Sequence, residues 1–209
     1  MALGKRKSAG EFLPTLKYDA RIGKMYLQDR VYTNGSWETQ QQNIEPDKFR
    51  AVFDLQNLQR GWIRFPKGAA PEMVLVPAGD DPGEPPSDDH REGIRVIVKM
   101  DESLGGDVRE LLSTAVSLWT AMDELHDKYL AGVGNHDGCL PAVDIIDVVE
   151  KKTAQGYTCV PAFKISGWVP RPPELPVVGI PVGQRARAAK PAAVMRPKVK
   201  DSLDDEIPF

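Results

Sequence analysis

Cysteine is scarce. The 209 residues hold two, Cys139 and Cys159, which excludes a disulfide-knit scaffold and points to a reducing cytoplasm. Histidine is nearly as rare. His90, His126 and His136 do not form, with each other or with the cysteines, the close pairs of a structural zinc site. No metal and no other cofactor is therefore expected. No run approaches the ~20 apolar residues of a membrane span. Lys5, Arg6 and Lys7 open the chain without an apolar stretch behind them, so no secretory signal is expected. Reactive motifs are missing too. Gly132-Val133-Gly134 lacks the Lys-Ser/Thr of a phosphate loop, and no nucleophile elbow occurs. The chain does not read as an enzyme.

An excess of basic charge is also lacking. The chain has 27 Lys and Arg against 30 Asp and Glu. Seven of the basic and five of the acidic residues fall in 171–209, which leaves 20 and 25 in residues 1–170. Phosphate contacts supply much of any affinity for nucleic acid. A net-acidic body can bind it only if its cations gather on one face.

What is present is a body of strands with one helix. Residues 1–12 read as a loose basic arm. Leu16 to Tyr32 reads as extended chain broken near Gly23, and Thr33-Asn34-Gly35-Ser36 is a turn signal. Phe49–Leu55, Gly61–Phe65, Met73–Val76 and Ile94–Met100 read as strands, and Pro77–Arg91 as a loop. From Val108, Leu111 and Leu112 through Trp119, Leu125 and Tyr129 to Leu130 the apolar spacing predicts one long helix. Asp107 is placed to cap it, and Gly132 and Gly134 to end it. Ala142–Glu150 and Tyr157–Val169 complete a hairpin. The order predicts a mostly β fold with one helix between the third and fourth strands of a small barrel. That is the connectivity of the OB-fold, which binds single-stranded nucleic acid. A sandwich with one packed helix gives a similar string.

Composition shifts after Trp168. Residues 170–203 carry seven prolines among Gly, Ala, Arg and Lys. Such a stretch cannot bury enough surface to order itself, so 171–203 is expected to be a disordered linker. It ends in Asp204, Asp205, Glu206, Ile207, Pro208 and Phe209. An aromatic ring and a free carboxylate on one residue suit a pocket with an apolar floor and a basic rim. Pro208 limits the freedom lost on docking.

This tip resembles the C-terminal tip of bacterial single-stranded DNA-binding proteins. The body, residues 13–170, is similar to the diverged replicative single-stranded DNA-binding proteins of bacteriophages and prophages. The segments that carry this likeness are Val52–Leu55, Gly61–Phe65, Gly93–Val98, Trp119–Tyr129 and Phe163–Val169. The resemblance implies an OB-fold that binds DNA without sequence preference. It also implies a tip that docks on replication, recombination or repair proteins in a bacterial cytoplasm.

Binding single strands of any sequence needs aromatic faces for the bases and cations along the backbone. Trp62 with Arg60, Arg64 and Lys67 is the densest such cluster. Strand alternation puts Trp62 and Arg64 on one face and Ile63 on the other. Trp37, Tyr26 with Lys24 and Arg30, Arg95 with Lys99, and Lys151, Lys152 and Tyr157 at the hairpin tip are the further candidates. Trp119 and Tyr129 lie on the helix's apolar stripe and read as core. The acidic body favours one alternative, an adaptor that binds protein rather than DNA. A strand-annealing recombination protein is a third reading, disfavoured by the low helix content.

Overall fold

The structure is a computed structural model, and it describes residues 13–33, 35–154 and 156–175. The basic arm, most of the linker and the whole tip Asp204–Phe209 lie outside the described residues.

The described residues form ten strands and one helix. The strands are β1 (Thr15–Asp19), β2 (Lys24–Thr33), β3 (Ser36–Ile44), β4 (Arg50–Phe53), β5 (Gln59–Arg64), β6 (Glu72–Pro77), β7 (Arg91–Met100), β8 (Val108–Ser113), β9 (Cys139–Thr153) and β10 (Gly156–Pro170). The helix α1 (Val116–Val133) lies between β8 and β9. The fold is thus mostly β with one helix. The sheet runs in the order β10-β9-β4-β7-β8-β1-β2-β3, with β5 paired to β7 and β6 to β5. This ladder is open, since β10 and β3 do not pair.

Two expectations are corrected. The helix does not begin after Asp107. Val108–Ser113 is a strand, bonded antiparallel to β7 and parallel to β1, and α1 starts at Val116 with Ala115 at its N-cap. Val108, Leu111, Leu112 and Ala115 satisfy helical spacing, but so short an apolar run cannot exclude a strand. Pairing on both edges decides it. Asp107 instead accepts from Arg109 Nε at 3.0 Å. The second correction is β3, which was not expected at all. Seven of its residues run Ser-Trp-Glu-Thr-Gln-Gln-Gln, and only Ile44 is buried. With no apolar alternation to betray it, β3 is held by its register along β2, from Thr33↔Ser36 to Met25↔Ile44.

The core collects the inward residues of nearly every strand. Leu16, Met25, Leu27, Phe49, Phe53, Val96, Val98, Leu111, Val143 and Phe163 pack with Leu118, Met122 and Leu125 of α1. Phe49, Phe53 and Phe163 form a ring cluster with centroids 5.8–6.5 Å apart. Arg109 is 4% exposed, and its guanidinium pairs with Asp29 at 3.0 Å and Asp107 at 2.8 Å. It fastens β8 to β2 from below, its two carboxylate partners reaching the surface.

The β1–β2 turn closes on β10. The Cys159 N–H donates to the Ala20 carbonyl at 2.7 Å, and the Tyr18 hydroxyl donates to the Cys159 carbonyl at 2.8 Å. Burial pushes the Tyr18 pKa upward. Gly23 permits this approach: its φ is +68°, and a Cβ there would lie 2.4 Å from Val148 Cγ1. Gly61 is the tightest glycine among the described residues. Its φ is +150°, and a Cβ would lie 2.1 Å from the Val74 carbonyl oxygen on β6. Because that neighbour is backbone, Gly61→Ala is expected to separate β5 from β6 and cost about 1–3 kcal/mol. Urea unfolding followed by circular dichroism checks this, and an unchanged midpoint would contradict the close approach.

The domain also runs past its expected end. Residues 171–175 pack on the body: Arg171 pairs with Asp54 at 3.0 Å, Glu174 with Lys99 at 2.8 Å, and Leu175 is 1% exposed. Proline content alone assigned them to the linker, but a half-buried arginine paired with a buried carboxylate, together with one buried leucine, is enough to hold five residues.

Candidate nucleic-acid interface

Directly paired residues on neighbouring strands share a face of the sheet. Following the registers from strand to strand therefore maps the side of the sheet turned away from the core. Trp37 pairs with Tyr32, and Thr39 with Arg30. Asn43 pairs with Tyr26, and Tyr26 with Lys17. Gln41, Gln28, Thr15, Glu110 and Ile97 form one row across β3, β2, β1, β8 and β7. Val108, Lys99, Val52 and Ala142 form another across β8, β7, β4 and β9. Leu112 pairs with Arg95, while Arg50, Asp144 and Lys164 run across β4, β9 and β10.

This outer face therefore brings together Lys24, Tyr26, Arg30, Trp37, Arg95 and Lys99 from the expected set. Lys17, Tyr32 and Arg50 join them, and sequence reasoning passed over all three. Alternation in β1 and β2 was the available signal: Lys17 stands opposite Tyr26, and Tyr32 is three outward-facing positions further along β2. Tyr32 and Trp37 are 61% and 68% exposed, and their rings lie 5.3 Å apart at the end of the β2–β3 hairpin.

The Arg60–Trp62–Arg64 cluster lies elsewhere. Arg60 pairs in register with Ile94, a core residue, and its guanidinium sits 5.9 Å from the Trp119 ring on α1. The cluster thus occupies the side of β5 turned toward the helix. The Trp62 indole N–H donates to the Gly83 carbonyl at 2.9 Å, so the 78–90 loop holds the ring half-buried. Ile63, on the other side of β5, is buried. Lys67 is exposed past the end of β5, near an exposed Phe65. Lys151, Lys152 and Tyr157 stand at the β9–β10 tip, where Tyr157 pairs with Lys152 and is 64% exposed. Tyr129 is buried as expected, and Trp119 is half-buried beneath Arg60.

The cations divide into two sets. Arg60 pairs with Glu92, Arg64 with Glu72 and Asp89, Arg95 with Glu110, Lys99 with Glu174, and Arg50 with Asp144. Hydrogen bonding to Lys99 lowers the Glu174 pKa and raises that of Lys99; the Arg50 bond likewise lowers that of Asp144. Lys17, Lys24, Arg30, Lys67, Lys151 and Lys152 take part in no ion pair among the described residues. These are the charges free to meet an anionic polymer without first breaking a bond. The face as a whole offers ring surfaces, amide and hydroxyl side chains and unpaired cations. Comparison with protein-family models, with curated proteins and with solved structures finds no match to this chain.

Proposed function

We propose that the chain binds single-stranded DNA without sequence preference, across the outer face of β7, β8, β1, β2 and β3. The observation that carries the reading is the coincidence on that face of exposed rings and unpaired cations, the pair of features such binding needs. Lys17, Lys24, Arg30, Tyr26, Tyr32 and Trp37 supply both within neighbouring rows. Lys17, Lys24 and Arg30 gather on this face, as binding by an acidic body requires, although Asp19 stands opposite Lys24 and Glu110 is paired with Arg95.

Strand connectivity adds support for an OB-fold-like domain. With β4 and β5 taken as one bent strand, β7, β8, α1, β9 and β10 follow in the order of a five-stranded Greek-key barrel with its helix after the third strand. The matching pairs are β4 and β5 with β7, β7 with β8, β4 with β9, and β9 with β10. Where that barrel closes its third strand on its fifth, β8 pairs with β1 instead, and the turn that follows β1 bonds to β10 through the Ala20 carbonyl and the Cys159 N–H. In this scheme β7 and β8 are the second and third strands, whose outer surface is the binding face of the fold. The β9–β10 tip with Lys151, Lys152 and Tyr157 corresponds to the loop that flanks it. Asp204–Phe209 is proposed to recruit replication, recombination or repair proteins, its charge being of the wrong sign for DNA.

Ultraviolet cross-linking to oligo-dT with peptide mapping tests the placement. Cross-links are expected on Tyr26, Tyr32, Trp37 and Tyr157. Cross-links confined to the Trp62 and Trp119 side would move the interface to the helix side of β5. A second expectation concerns Lys99. Glu174→Gln removes its partner and is expected to steepen the salt dependence of binding by about 0.7 in log–log slope, the increment of one added phosphate contact. An unchanged slope would mean that Lys99 does not touch the strand.

A further inference from the structure

Among the described residues, no strand pairs with the outer edge of β3, the end strand of the sheet. Natural proteins blunt an edge strand with lysine, proline, a bulge or shortness, because its unpaired backbone groups template pairing with another chain. β3 has none of these four, and a single charge, Glu38 opposite Val31, is all that guards it. It is 9 residues long, its register on β2 is unbroken, and it contains neither Lys nor Pro. Eight of its residues are exposed.

The backbone groups it presents follow from the hairpin. Two residues separate Thr33 from Ser36, and the pair flanking such a turn exchanges both backbone hydrogen bonds. Bonding then alternates along the strand. Ser36, Glu38, Gln40 and Gln42 bond to β2, while Trp37, Thr39, Gln41 and Asn43 turn their N–H and C=O groups outward.

We propose that this edge pairs with β3 of a second copy of the chain, antiparallel, on a two-fold axis at Gln40. In that register Trp37 of one copy bonds with Asn43 of the other, and Thr39 with Gln41. All four outward residues are used twice by symmetry, as a two-fold interface requires. Glu38 falls opposite Gln42, so no like charges meet. A register centred on Glu38 sets two carboxylates side by side and is disfavoured. The joint continues the outer faces of the two copies into one surface. Because Asn43 already pairs with Tyr26, the row Tyr26, Asn43, Trp37, Tyr32 then crosses from one copy to the other. Pairing through β3 does not depend on the DNA-binding reading.

The test uses the full chain without nucleic acid. Sedimentation equilibrium is expected to give a dimer at micromolar concentration. Gln41→Pro removes an outward N–H and leaves the β2 bonds in place; it is expected to sediment as a monomer with an unchanged circular dichroism spectrum. Cysteine placement reads the register. Residues facing each other in a non-hydrogen-bonded antiparallel pair have Cα atoms ~4.5 Å apart, within disulfide range. With Cys139→Ser and Cys159→Ser as background, Gln40→Cys is expected to form a disulfide-linked dimer under mild oxidation and Gln42→Cys is not. A monomeric wild type at tens of micromolar overturns the proposal. So does equal cross-linking from positions 40 and 42, or a Gln41→Pro variant that remains dimeric.

Discussion

Arg171→Ala is expected to destabilise the domain by about 3–5 kcal/mol, the cost of stranding a buried carboxylate. Asp54 is the carboxylate in question, with 6% of its side chain exposed. Arg171 Nη1 and Nη2 donate to its two oxygens at 3.1 and 3.0 Å, and the same guanidinium reaches Gln56 Oε1 and the Leu175 carbonyl. For a chain of this size each kcal/mol moves the melting temperature by about 2–4 °C, so a drop on the order of ten degrees is expected in calorimetry. Asp54→Ala in the Arg171→Ala background should recover part of the loss, because the second change removes the stranded charge. A melting temperature within two degrees of wild type for Arg171→Ala would show that residues 171–175 are not fastened to the body.

The second large effect is on binding. Tyr32→Ala with Trp37→Ala is expected to weaken oligo-dT affinity by about 2–6 kcal/mol, since base–aromatic stacking is worth ~1–3 kcal/mol per base. Both rings are exposed, so the melting temperature should hardly move. That combination separates a stacking role from a packing one. Trp62→Ala is the informative contrast. Its indole is bonded to the Gly83 carbonyl, so its loss should disturb the 78–90 loop more than it disturbs binding. Equal loss of affinity in the Trp62 variant and the Tyr32/Trp37 variant would contradict an interface on the outer face.

Strands whose inner face is apolar could be read from the sequence, and those whose inner face is not could not. β7 alternates buried Ile94, Val96, Val98 and Met100 with Arg95, Ile97 and Lys99, and its period is plain. β3 has one buried residue in nine and left no period. β8 misled for a different reason. Six residues with Val108, Leu111 and Leu112 fit either period, and only the bonds to β7 and β1 distinguish them.

The site divides in the same way. Alternation correctly separated Trp62 and Arg64 from Ile63, but not which face of the sheet each would share with Arg95. That depends on the β5–β7 register, which sets Arg60 against Ile94. Density of aromatic and basic residues in the chain therefore favoured the Arg60–Lys67 stretch. The rows on the outer face draw single residues from distant strands, Lys17, Tyr26, Asn43 and Arg95 among them, and no linear cluster marks them. Ion pairing was equally out of reach, because Lys99 meets Glu174 across 75 positions.

The most direct measurement is fluorescence anisotropy of labelled oligo-dT and of a duplex of equal length, titrated with the full chain over a range of salt. The account predicts tighter binding to the single strand, with log K falling linearly against log salt as backbone contacts release counterions. Equal or absent binding to the two ligands, independent of salt, would contradict it and leave the protein-binding adaptor as the better reading.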